Sequence, residues 1–304
     1  MYRYKRILVC VSLNKQDGTS IRYASMLSRL AKSERITFLH VAGNLEIDEE
    51  LCKIYPELEA SCDSSTAQEI EKLVKNYYDG YPGTRLDCIT AKGSPLVEIL
   101  RRVKDDDIDL VVMRKKKGDK TSGNLSTKLA RKSPCSVLFV PEGAGSWYTN
   151  ILVPVDFSEN SRDAMEVAVA FAWAGNIKEI HCLNIFQVPI GYYKTGKSYE
   201  QFAEIMKGHA EKKFQEFIKD IDLKDIRAVP KFRLAGKGYR GIWEVILEEE
   251  EVQLLIMGAR GRKHGAGVLL GSVTEHLITT TAVPLIAVKK KGTGMGLLDA
   301  LLEM

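Results

Sequence analysis

The sequence predicts an α/β protein made of two tandem open parallel five-stranded sheets flanked by helices, and three observations carry that prediction. Short apolar, β-branched runs alternate with amphipathic helical stretches. The runs are apolar almost throughout, as strands buried on both faces of a parallel sheet are. The same order of elements then occurs twice. Ile7-Leu8-Val9-Cys10-Val11 matches Ile151-Leu152-Val153-Pro154-Val155, and Leu110-Val111-Val112-Met113 matches Leu254-Leu255-Ile256-Met257, both 144 residues later. A register kept over most of a domain is a tandem duplication, far longer than a solenoid repeat.

The elements of the second half follow in order. Strands are predicted at 151–155, 179–186, 228–235, 254–257 and 285–288, and helices at 161–174, 199–221, 241–249 and 273–280. The boundaries drawn from the duplication are a first domain at 1–145, a second at 146–291 and a C-terminal segment at 292–304. That last segment places leucines at 297, 298, 301 and 302, the one-sided pattern of a short helix that docks on its own chain or on a second one.

Composition bounds the function. The chain has 304 residues, enough for two ordinary domains, and an apolar share of 45%, typical of globular chains. A net charge of +4 is too small to imply a nucleic-acid partner, and the basic run from Arg114 to Lys120 reads as a solvated loop. No apolar run reaches the ~20 residues of a membrane span and no signal-peptide core follows Met1, so the expected location is cytoplasmic, with no membrane partner. The six cysteines show no C-x-x-C pair or zinc-like spacing, and reduced thiols are expected, Cys52 and Cys62 included.

In an open parallel sheet the ligand crevice lies beyond the carboxyl ends of the strands, where strand order reverses. That rule selects Pro154, Val155 and Asp156 after the first strand of the second half, Asn184 and Ile185 near the end of the second, and Met257 and Gly258 after the fourth. Gly258-Ala259-Arg260-Gly261 is followed by nine residues and then Gly271-Ser272-Val273-Thr274. Glycines at 258, 261 and 271 let backbone N–H groups close on an anion, and Ser272 opens the following helix. This is a phosphate cradle, and a nucleotide is the expected ligand.

These residues resemble the universal stress protein family, whose ATP-binding members carry G-x2-G-x9-G-[ST] after the fourth strand. Gly258, Gly261, Gly271 and Ser272 fit that spacing without a gap, and Asp156 matches the family's opening aspartate. The resemblance covers both halves. It implies an adenine-nucleotide α-hydrolase-like fold with strand order 3-2-1-4-5, a site for ATP or AMP, Mg or Mn accompanying ATP, and a pseudo-dimer of the two halves or a homodimer of chains. In that frame Asp156 accepts a ribose hydroxyl or helps to orient a phosphate-bound metal, and the backbone of Ile185 reads the adenine edge. Gly271, Ser272, Val273 and Thr274 supply N–H and hydroxyl donors to the anion. Arg260, with Arg262, Lys263 and His264, either adds charge near the phosphates or is simply solvated.

The first half lacks this pattern. At the 144-residue offset Pro154 becomes Cys10, Asp156 becomes Ser12, Gly258 becomes Arg114 and Gly261 becomes Lys117; in a second register Gly123 still matches Gly271 while Asn124 replaces Ser272, so a remnant of the helix-opening turn is expected. One nucleotide per chain is therefore expected, in the second half. Gly236-Lys237-Gly238-Tyr239-Arg240-Gly241 satisfies a dinucleotide fingerprint, but it follows a third strand without the required acidic partner and reads as a loop on the rim of the site. Of the five histidines only His264 falls near the cradle, and there is no Walker loop or nucleophile elbow. The reading is a nucleotide-binding stress-response or signalling module with no catalytic residue assigned. The alternatives are a slow metal-dependent ATP hydrolase and an interaction protein that no longer uses nucleotide.

Overall fold

The computed structural model describes residues 4–14, 16–43, 57–115, 120–145, 147–236, 238–248, 251–261 and 270–302. They form two compact units, Met1–Trp147 with Lys291–Met304, and Tyr148–Lys290. The thiols of Cys52 and Cys62, expected to be reduced, and the loop side chains Arg262, Lys263 and His264 lie outside the residues whose side chains are described.

The first unit runs β1 (Arg6–Val11), α1 (Asp17–Ala31), β2 (Arg35–Ala42), α2 (Glu57–Tyr77), β3 (Arg85–Lys92), α3 (Pro95–Asp105), β4 (Leu110–Lys115), α4 (Lys120–Lys132) and β5 (Ser136–Pro141). Its strand order is β3-β2-β1-β4-β5, every pair parallel. Ile7, Leu8 and Val9 of β1 and Leu110, Val111 and Val112 of β4 are fully buried. Each such side chain contributes about 1.5–3 kcal/mol on burial, which is why these runs take the centre of the sheet.

The second unit repeats the plan with β6 (Ile151–Pro154), α5 (Glu159–Ala174), β7 (Glu179–Phe186), α6 (Tyr199–Lys219), β8 (Arg227–Leu234), α7 (Gly238–Glu248), β9 (Leu254–Gly258), α8 (Ser272–Thr280) and β10 (Leu285–Val288). Its order, β8-β7-β6-β9-β10, is again 3-2-1-4-5 and again parallel. A 3-10 turn at Tyr192–Thr195 precedes α6. Ser198 then opens that helix with a capping box to Gln201, so both of these side chains satisfy end-of-helix backbone groups.

Two helices begin two or more residues earlier than their sequence pattern suggests. Ser158 caps α5 by accepting from the Ser161 N–H at 3.2 Å, so the helix starts at Glu159. Gly238 and Gly241 are poor helix formers, yet α7 starts at Gly238. Packing decides there: a Cβ on Gly241 would stand 2.8 Å from Ile185 and 2.9 Å from Ala235.

The last segment folds onto the first unit. Helix α9 (Met295–Leu302) buries Leu298, and Asp299 pairs with Lys104 of α3 at 2.8 Å. Lys291 reaches Asp107 at 2.8 Å and Asp109 at 2.7 Å, and the Gly292 N–H donates to the Pro134 carbonyl at 2.9 Å. Among the described residues no helix is long and apolar enough to cross a membrane.

Candidate functional site

In the second unit strand order reverses between β6 and β9, whose carboxyl ends therefore open onto a crevice. The chain leaving β6 is held there by two ties. The Asn184 side-chain amide donates to the Val155 carbonyl at 2.7 Å, joining the end of β7 to this loop, and the Asp156 N–H donates to Ser161 Oγ at 3.0 Å. Asp156 Oδ1 accepts from the Ser158 N–H at 3.1 Å and from the hydroxyls of Ser158 and Ser161 at 2.6 Å each. One carboxylate oxygen is thus committed to the N-terminus of α5, where the helix dipole favours negative charge.

The other oxygen faces the glycine loop. A Cβ on Gly261 would stand 2.7 Å from Asp156 Oδ2, so a bare backbone is what allows the two segments to meet. Gly258 is constrained from the other side: a Cβ there would stand 2.7 Å from the Asn160 carbonyl oxygen in the first turn of α5. Neither glycine, nor Gly271, is among those at positive φ. Close approach, rather than left-handed backbone, explains Gly258 and Gly261, whereas a Cβ on Gly271 would meet nothing nearer than 3.4 Å.

Two of the expected anion donors have other partners. Gly271 is the N-cap of α8, and its N–H donates to the Ala259 carbonyl at 2.8 Å. The Thr274 hydroxyl is buried and donates to the Gly258 carbonyl at 3.0 Å. Ser272 is the first residue of the helix and not its cap, which moves the start one residue before the expected Val273. Of the donors expected at 271–274, those left for an anion are the first-turn N–H groups of Ser272, Val273 and Thr274, which have no intrahelical acceptor, and the Ser272 hydroxyl.

These pieces enclose a cavity of about 160 Å³. Pro154, Val155, Asp156, Ile185, Met257, Gly258, Arg260, Gly261, Gly271, Ser272, Val273 and Thr274 all line it. So do Ser161, Leu183, Gly238 and Ile242, which motif reading did not select. Ser161 had a local signal, the Ser158-x-x-Ser161 spacing after a strand. Gly238 had only the fingerprint-like run placed on the rim, and Ile242 lies just after that run; their helix in fact forms a wall. Among the described residues no group of three His, Cys, Asp or Glu could hold a metal, and Asp156 is the one carboxylate among the residues that line the cavity.

The equivalent place in the first unit is built from exchanged parts. Where Asp156 and Ser161 stand, it has Ser12 and Asp17, and the Ser12 N–H donates to Asp17 Oδ2 at 2.8 Å. Where Gly258 stands it has Arg114, buried with Nε 3.7 Å from Asp17 Oδ1 and a guanidinium nitrogen donating to Gln16 Oε1 at 2.6 Å. Gln16 is the counterpart of Asn160, the residue a Cβ on Gly258 would strike. Burial and the Asp17 carboxylate push the Cys10 thiol up to about 12, which leaves it an unreactive thiol. Gly123, expected in a surviving helix-opening turn, lies inside α4, which begins at Lys120.

A family model described as the universal stress protein family matches residues 3–141 and again 148–289. The chain is 30% identical over 165 residues to a universal stress protein of Methanocaldococcus jannaschii, a match covering 48% of this chain and 98% of that one. Among solved structures, a universal stress protein from Archaeoglobus fulgidus is similar over 95% of this chain and 98% of its own, with 18% identity and a TM-score of 0.62. A functionally unknown protein from Pseudomonas aeruginosa is similar over 99% and 98%, with 14% identity and a TM-score of 0.67. At these identities the structural likeness speaks to the fold. The family model covers both halves, and the chain belongs to the universal stress protein family.

Proposed function

We propose that the second unit binds one adenine nucleotide, ATP or AMP, and that the chain is a stress-response module whose occupancy is read by a partner. The observation that supports this most directly is the meeting of Asp156, Gly261 and the N-terminus of α8 on one cavity. The apolar wall of Pro154, Leu183, Ile185, Ile242 and Met257 suits a base. Asp156 Oδ2 is placed to accept a ribose hydroxyl, and the first-turn N–H groups of α8 suit a phosphate. When ATP carries Mg or Mn, Asp156 is the carboxylate nearest to hand, and the phosphates supply the remaining charge.

The test is mass spectrometry of small molecules released from the purified protein, followed by calorimetric titration with AMP and ATP. A released adenine nucleotide, or a saturable 1:1 isotherm, supports the reading. No ligand released and no heat from either nucleotide refutes it.

A further inference from the structure

A second cavity, of about 400 Å³, adjoins the first in the same unit and shares Asp156, Ile185, Gly261, Ser272 and Val273 with it. Its far wall is one face of α6: Met206, His209, Ala210 and Lys213 follow the i, i+3, i+4, i+7 spacing that aligns side chains along a helix. Ala210, buried and small, sits in the middle of that face and leaves room. Phe157 and Phe186 add aromatic surface, and the Phe157 ring is braced on Phe217 at 5.7 Å between centroids.

The two lobes therefore meet at the start of α8, beside Asp156 and Gly261. The first lobe, at about 160 Å³, falls below the roughly 300–1,000 Å³ of pockets that take whole ligands, so a nucleotide seated in it extends outward. A phosphate tail alone would have no use for Phe157, Phe186 and Met206. A flat group with apolar faces would, and the exposed Lys213 on the α6 wall favours a ligand that also carries negative charge.

On the basis of the nucleotide reading above, we infer that the ligand is a dinucleoside polyphosphate: one nucleoside in the first lobe, the phosphates across the start of α8, and the second nucleoside against α6. Calorimetric titration of the full chain with AMP, ATP and diadenosine tetraphosphate tests this, in the native protein and in a His209→Ala/Lys213→Ala variant. Both substituted side chains are solvent-exposed on α6 and neither lines the first lobe. Diadenosine tetraphosphate is expected to bind at least tenfold more tightly than ATP, and the variant to lose that advantage while its AMP affinity stays within twofold. Diadenosine tetraphosphate binding no more tightly than ATP overturns the inference and leaves the nucleotide site standing. So does a variant that weakens ATP and diadenosine tetraphosphate equally, since the second lobe would then read phosphate alone, or one that weakens AMP as much as diadenosine tetraphosphate. If none of the three binds, the nucleotide site falls with it.

Discussion

The two units have one fold and opposite interiors at the carboxyl end of the sheet. Strands β2 and β7, like β4 and β9, keep their 144-residue offset, and the left-handed residue after the first strand is present in both, Leu13 at φ 59° and Phe157 at φ 64°. The kink is therefore a property of the fold and not of a site. What differs is how the space above the sheet is filled. In the second unit bare glycine backbone lies opposite a carboxylate and leaves a cavity; in the first, Arg114 grows out of the Gly258 position, reaches Gln16 and sets its charge beside Asp17. The lesson is that a side chain and its counter-charge can take over the space that another copy of the fold keeps open.

Copying the first unit into the second is the most severe way to break this contrast. Gly261→Lys, which copies Lys117, places a side chain where even a Cβ stands 2.7 Å from Asp156 Oδ2, and calorimetry should detect no binding of AMP or ATP. Retained affinity would show the cradle to be misplaced. Next in size is the reverse disruption: Arg114→Ala leaves Asp17 buried without its counter-charge, and should cost about 3–5 kcal/mol in urea unfolding with nucleotide affinity unchanged. Asp156→Ser, copying Ser12, removes a charged acceptor and should weaken AMP by about 1.5–3 kcal/mol, roughly 10- to 150-fold.

Thr274→Val is smaller again. It leaves the Gly258 carbonyl without its 3.0 Å donor and should lower stability by about 1 kcal/mol in thermal or urea unfolding. The finest test is a pH slope. Burial pulls Lys115 of the first unit down from 10.5 to about 8, so between those values the unfolded chain binds more protons than the folded one, and stability contributed by this group rises with pH. Cys10, raised to about 12, acts in the opposite sense from about pH 9 upward, because the unfolded thiol ionises first. Comparing the native chain with Lys115→Met cancels the cysteine contributions, and the native chain's stability relative to the variant should rise from pH 8 to 10.5. Parallel curves would contradict this assignment.

Much of the site was legible because it rests on short-range chemistry. Strand ends follow from apolar runs, Gly258, Gly261 and Gly271 from their spacing, and Asp156 from its place after a strand. Ser161, Leu183, Gly238 and Ile242 were not legible, because each joins the cavity through packing between elements distant in sequence. That the Gly271 N–H and the Thr274 hydroxyl have partners within the chain is hidden for a related reason. Spacing shows that a donor is near an anion site, whereas only the folded chain shows that the Ala259 and Gly258 carbonyls have already taken it.

The sequence by itself determined the duplication, the parallel α/β architecture and which half carries the spaced glycines, since periodicity, apolar runs and glycine spacing are local and survive without coordinates. The tertiary structure alone decided that Gly258 is bare for the sake of Asn160, that Gly261 is bare for the sake of Asp156, and that Arg114 finds Asp17 and Gln16 in the first unit. Those are contacts between the ends of different strands and helices, and steric exclusion and charge pairing act through space, across separations in the chain that no local pattern records.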